Sequence, residues 1–156
     1  MIISKSTWEK LTDLWNISEI ASTVSRALAS LYIVKTGLHR TEIDIKTVSY
    51  NIEKCREVLE RILTELELYM NKKAPETELV TLVINAYGDV DTNKILRHVR
   101  MAINGIEKVI EALSEETLNM KLFKDADVVK LEDLLKRLSD VVSKKVEQMA
   151  NEIYAF

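Results

Sequence analysis

Residues 41–72 read TEIDIKTVSYNIEKCREVLERILTELELYMNK. Within this stretch Ile45, Val48, Ile52, Cys55, Leu59, Ile62, Leu66 and Tyr69 follow one another at alternating steps of three and four. That spacing is a heptad seam, the pattern of an amphipathic helix that lays one apolar stripe against other helices. No Gly or Pro interrupts it. Thr41, with Asp44 three residues on, predicts the N-cap. At about 1.5 Å per residue, roughly 30 residues make a rod about 45 Å long.

Upstream, Ser6 and Glu9 form a Ser-x-x-Glu capping box, which predicts a first helix from Ser6. Its main seam reads Leu14, Ile17, Ala21, Val24, Leu28 and Leu31, with Ile20, Ala27 and Val34 widening it on one side. Asn16 and Ser18 offer a second start, which would break the helix near Trp15. Gly37 is expected to end it as the C′ residue. The link Leu38 to Arg40 is short enough to force an antiparallel hairpin of two long helices.

Downstream, the link Asn71 to Glu76 holds the one proline, Pro75, which suits the first turn of a short helix over about Pro75 to Tyr87. Leu79, Leu82, Val83 and Ala86 share one face of it, and Gly88 stops it. Asp91 or Thr92 caps a fourth helix to about Leu113. The seam of that helix is Leu96, Val99, Ile103, Ile106, Ile110 and Leu113, flanked by Ile95, Ala102 and Val109. Gly105 inside it costs about 1 kcal/mol relative to Ala and so marks a close approach of another helix. Ser114 to Asp127 reads as irregular, with one helical turn at Glu115 to Leu118. A last helix, capped within Asp125-Ala126-Asp127, runs from about Asp127 to Tyr154.

Composition supports this outline. The chain has 156 residues, 47% hydrophobic and 30% charged, which argues for one folded domain over 1–156 and against disorder. Sheets and their turns consume Gly and Pro, and with Gly 3 and Pro 1 the chain has almost none. The expected class is all-α: an antiparallel four-helix bundle of long helices with an additional short connecting helix. A net charge of -3 provides no global attraction to nucleic acid or anionic lipid. One Cys cannot close an intramolecular disulfide. With no leader and no long uncharged apolar run, a cytoplasmic protein without a membrane partner is expected. Abundant Lys and Glu with a single glutamine, Gln148, lean towards a thermophile.

The sequence offers little for catalysis. Di-iron bundles need Glu-x-x-His, and His39 and His98 are preceded at that spacing by Thr36 and Ile95. Cys55 stands alone and reads as a small apolar core residue. Asp89-Val90-Asp91-Thr92-Asn93 opens like a calcium loop, but Lys94 stands where Gly is needed and Arg100 where a bidentate Glu is needed. Neither a nucleophile motif nor a Gly-rich phosphate loop is present. No metal, no cofactor and no enzymatic activity are therefore expected.

Two surfaces remain. Residues 77–103 resemble a helix-turn-helix layout, with Lys94, Arg97, His98 and Arg100 near the start of the second helix, although Asp89 and Asp91 would repel phosphate. Trp8, Leu11 and Trp15 share a face of the first helix that is not the main seam. Tryptophan is enriched in interface hot spots. Either the chain's own Tyr154 and Phe156 cover this line or a second molecule does. A homodimer is favoured, because Ile20, Ala27, Val34, Leu63 and Met70 are apolar beyond one seam per helix. The expected function is a non-catalytic helical interaction protein, a homo-oligomer or small subunit of a larger assembly. The alternative is a nucleic-acid-binding subunit that uses the fourth helix.

Overall fold

The computed structural model describes residues 4–36 and 44–154. Five α-helices occur in the order α1 (Lys5–Thr36), α2 (Ile45–Met70), α3 (Glu78–Tyr87), α4 (Thr92–Ser114) and α5 (Ala126–Tyr154), with a 3-10 turn at Met120–Lys124 before α5. Among the described residues there is no strand. The protein is all-helical, as its scarcity of Gly and Pro requires.

Helix starts follow local capping chemistry, one to three residues away from several predicted positions. Ser4, not Ser6, caps α1, its Oγ accepting from the Thr7 N–H at 3.2 Å. Glu9 has no part in it. The helix continues through Asn16 and Ser18 without a break. Asp44 is itself the cap of α2 and accepts from the Thr47 N–H; Thr41 lies outside the described residues. That Thr47 pairing also holds the Asp44 carboxyl below its ordinary range. Pro75 lies before α3, whose cap is Thr77. Asp91 caps α4 through the Asn93 N–H at 3.0 Å, and Asp125 caps α5 through the Asp127 N–H at 2.9 Å. The expected stop at Gly37 and the link to Arg40 lie outside the described residues.

Two helix ends carry no glycine. Lys72 (φ 57) and Glu116 (φ 55) take the left-handed conformation. Beyond them the Lys73 N–H reaches the Leu68 carbonyl at 2.8 Å and the Thr117 N–H reaches the Ala112 carbonyl at 3.0 Å. These are Schellman closures, which satisfy carbonyls that a helix end leaves orphaned. The second of them replaces the helical turn expected at Glu115 to Leu118.

Helix α1 packs against α2 and α5, and α4 packs against the same two. Helix α3 lies mainly on α5 and α2. The core between them holds the α2 seam as read from sequence: Val48, Ile52, Cys55, Leu59, Ile62 and Leu66 are buried, while the end positions Ile45 and Tyr69 are not. In α1 and α4 the core face is rotated from the expected seam. Ile17, Ile20, Val24, Ala27, Leu31 and Val34 are buried in α1, and Leu14, Ala21 and Leu28 only half-buried. In α4, Ile95, Val99, Ala102, Ile106 and Val109 are buried, and Leu96, Ile103 and Ile110 half-buried. Both helices are apolar over more than one stripe, and contact with two neighbours selects the stripe between them.

Polar contacts set the register of neighbouring helices. Buried Ser30 of α1 accepts from Asn51 Nδ2 of α2 at 3.2 Å. Arg56 meets Glu107 at 3.1 Å and Arg100 meets Glu67 at 2.7 Å across α2 and α4. Lys108 of α4 reaches Asp125 at 2.9 Å and Asp127 at 2.8 Å at the start of α5. Beside that clamp α4 approaches α5 at Gly105. A Cβ placed there would stand 2.5 Å from the Asp127 carbonyl oxygen. The interior glycine is the close approach its cost implied.

Candidate interaction surface

The outward side of α1 carries a second heptad seam. Leu11, Trp15, Ser18, Ser22, Ser25, Ala29, Tyr32 and Thr36 again follow at alternating steps of four and three. None of the eight is buried, and none is charged. Outward faces elsewhere are charged: Glu53, Glu57 and Glu60 on α2, Arg97, Arg100 and Glu107 on α4, Lys136, Asp140 and Lys144 on α5. Exposed apolar residues scattered singly are normal on any protein surface; here Leu11, Trp15 and Tyr32 stand on one uncharged line.

The sequence shows no long uncharged apolar run; α1, which carries Glu19 and Arg26, is nevertheless long and apolar enough to cross a membrane by length and composition alone. Only 39% of its most apolar window is buried within the protein. Here the inner side forms the core and the outer side has no cover among the described residues.

Trp8, Leu11 and Trp15 all belong to this outer side. Trp8 is 63% exposed and Trp15 68% exposed, with Leu11 half-buried. Tyr154 is itself 67% exposed and covers neither tryptophan; Phe156 lies outside the described residues. The residues expected to supply further interface are elsewhere. Ile20, Ala27 and Val34 are core, and Leu63 and Met70 pack against it half-buried. The feature that the sequence reading missed is the uncharged seam of small residues between Trp15 and Tyr32, because serines and alanines attract no notice in a search for hydrophobic stripes.

The four basic residues of α4 fan across its outward side, from the α2 edge to the α5 edge. Arg100 turns towards α2 and Glu67. His98 turns towards α5, with Nε2 3.2 Å from the Lys130 carbonyl and 3.6 Å from Asp133 Oδ2. Lys94 and Arg97 are exposed between them. Helix α3 touches α4 only lightly and lies mainly on α5 and α2.

His98 belongs to a cluster that sequence could not assemble. Its ring meets the Tyr87 ring edge-on, centroids 5.1 Å apart, and the Arg137 guanidinium lies 5.0 Å over Tyr87. Arg137 also bonds Asp133 at 2.9 Å and the Ala86 carbonyl at 3.3 Å. Burial, the largest influence, lowers the His98 pKa, and the Asp133 carboxylate opposes it. The Tyr87 hydroxyl is buried without a hydrogen-bond partner, and burial drives its pKa up. The cluster joins α3, α4 and α5. With Nε2 directed at a backbone carbonyl, the neutral imidazole donates there and is not poised as a base at that nitrogen.

Cys55 is fully buried, and burial pushes its thiol up to about 12, far from the thiolate that chemistry would need. Among the described residues no group of three or more His, Cys, Asp or Glu side chains could hold a metal ion. The class of protein defined by these features is an all-helical one with an uncharged seam along the outer side of its first helix. The chain matches no protein-family model, and comparison with curated proteins and with solved structures gives no match.

Proposed function

We propose that this chain is a non-catalytic helical interaction protein, a homo-oligomer or a small subunit of a larger assembly, acting through the outward face of α1. The uncharged outer seam, with Trp8 and Trp15 exposed beside it, carries the reading. Aromatic anchors among small side chains are what an interface core uses, and covering them removes two large apolar surfaces from water.

In this reading α1, α2, α4 and α5 form an antiparallel four-helix bundle, with α3 as a short connecting helix. The register contacts support it. On α2 and α4, Arg56 pairs with Glu107 while Glu67 pairs with Arg100, so residue numbers rise on one helix as they fall on the other. On α4 and α5, His98 meets Asp133 while Lys108 meets Asp125.

The test is association of the native protein. Tagged wild type, purified gently from its natural source, should retain a stoichiometric partner, itself or another chain. Trp8→Ala/Trp15→Ala should lose that partner while its helical circular dichroism is unchanged. A partner that the double variant retains, or a wild type that associates with nothing, would remove the reading.

A further inference from the structure

We propose that the occupant of the α1 face is a second copy of this chain, laid antiparallel across it about a two-fold axis close to Ser22. This rests on the reading that the face is an interface, and adds its partner and register.

Charge selects both. Across residues 18–34 of α1 the charged side chains are Glu19 and Arg26 alone. They lie seven residues apart, two helical turns, and so on the same flank of the outer seam. Both are exposed, and neither takes part in an ion pair among the described residues; Lys54 of α2, itself paired with Glu57, feels the Glu19 charge across the groove. When two copies of a helix meet about a two-fold axis perpendicular to them, each flank faces its own kind and the chain directions oppose. With the axis between residues 22 and 23, Glu19 faces the partner's Arg26 and Arg26 faces the partner's Glu19. A parallel pair would bring opposite flanks together and leave both charges facing the uncharged flank of Leu14, Ala21 and Leu28.

Shape agrees with the same register. Within one residue of that register Trp15 lies near the partner's Ala29 and Leu11 near the partner's Ile33, so large meets small or apolar along the seam. Ser18, Ser22 and Ser25 occupy the crossing, where small side chains let two backbones approach. Beside the seam a groove of about 460 Å³ runs between α1 and α2, walled by Trp15 and Tyr50, with Glu19, Arg26 and Lys54 along it. It is the space that the partner's Arg26 enters to reach Glu19. An isologous contact of this kind closes after two copies.

Charge exchange tests the arrangement. Wild type should be a dimer by light scattering coupled to size exclusion in the micromolar range. Glu19→Arg and Arg26→Glu, each alone, place like charges opposite each other twice, and should raise the dissociation constant at least about tenfold. Mixed together, the two single variants should recover dimers, since every facing pair is then opposite in sign. Glu19→Arg/Arg26→Glu in one chain should dimerise as wild type does. Single variants that dimerise unchanged, or a mixture that does not recover, would overturn the register. A wild-type monomer would overturn the self-partner, including one that binds anionic vesicles, while leaving a foreign protein partner open. A dimer that survives Trp8→Ala/Trp15→Ala would overturn the interface reading as well. All the substituted positions are exposed, and circular dichroism verifies that each variant is folded.

Discussion

Gly105→Ala should destabilise this protein, against the usual rule for a glycine in a helix. In an open helix the change gains about 1 kcal/mol from backbone propensity. Here the new methyl would stand 2.5 Å from the Asp127 carbonyl oxygen, 2.9 Å from its carbonyl carbon and 3.1 Å from Leu131 Cβ. Ordinary contact begins near 3.4 Å, so the first turn of α5 must recede by much of an ångström. Two of the three obstacles are backbone and cannot rotate aside. That turn is held by the Asp125 cap and by Lys108 bridging Asp125 and Asp127. Overpacking typically costs about 1–3 kcal/mol, and a backbone obstacle places this site at or above the upper end. The net loss should be about 2 kcal/mol or more, or at least roughly 4–8 °C in Tm for a chain of this size. Urea denaturation followed by helical circular dichroism measures it. Asn104→Ala, at the exposed neighbouring position, is the control and should stabilise by a few tenths to about 0.7 kcal/mol. A Gly105→Ala protein as stable as that control would refute the close approach.

Leu59 lies fully buried in the middle of the α2 seam, so Leu59→Ala should cost about 2–5 kcal/mol. An unchanged denaturation midpoint and slope would mean that the seam is not the core. Cys55 should resist alkylation at neutral pH and react only as the protein unfolds. Its folded thiol is raised from 9.0 to about 12, so its contribution to stability is intact below pH 9 and lost as pH climbs towards 12. Rapid labelling of native protein would contradict this. His98 is lowered from 6.5, so the neutral ring's contribution is intact above that pH and lost as pH falls below it. An NMR titration of His98 with a midpoint above 6.5 would reverse the sign.

Much of the fold was legible because its causes are local. Scarce Gly and Pro exclude a sheet-rich chain wherever they are placed. Asp91 and Asp125 act as caps because a short acceptor before a helix finds free N–H groups within its own first turn. The seam of α2 was unambiguous because Glu53, Lys54, Glu57, Glu60 and Arg61 occupy the other side of that helix, leaving one apolar stripe. The Schellman stops at Lys72 and Glu116 left no glycine to read.

In α1 and α4 the apolar residues cover more than half the circumference, so periodicity alone allowed two adjacent stripes. Only packing against two neighbours decided that Ile20, Ala27 and Val34 face inward while Leu14, Ala21 and Leu28 lie at the edge. The same decision left Trp8 and Trp15 facing water. The meeting of Tyr87, His98, Asp133 and Arg137 likewise exists only where three helices converge. A sequence specifies which faces of a helix are able to be buried. Which of them is buried depends on how many neighbours the helix has and where they lie, and for α1 two neighbours cover only one side.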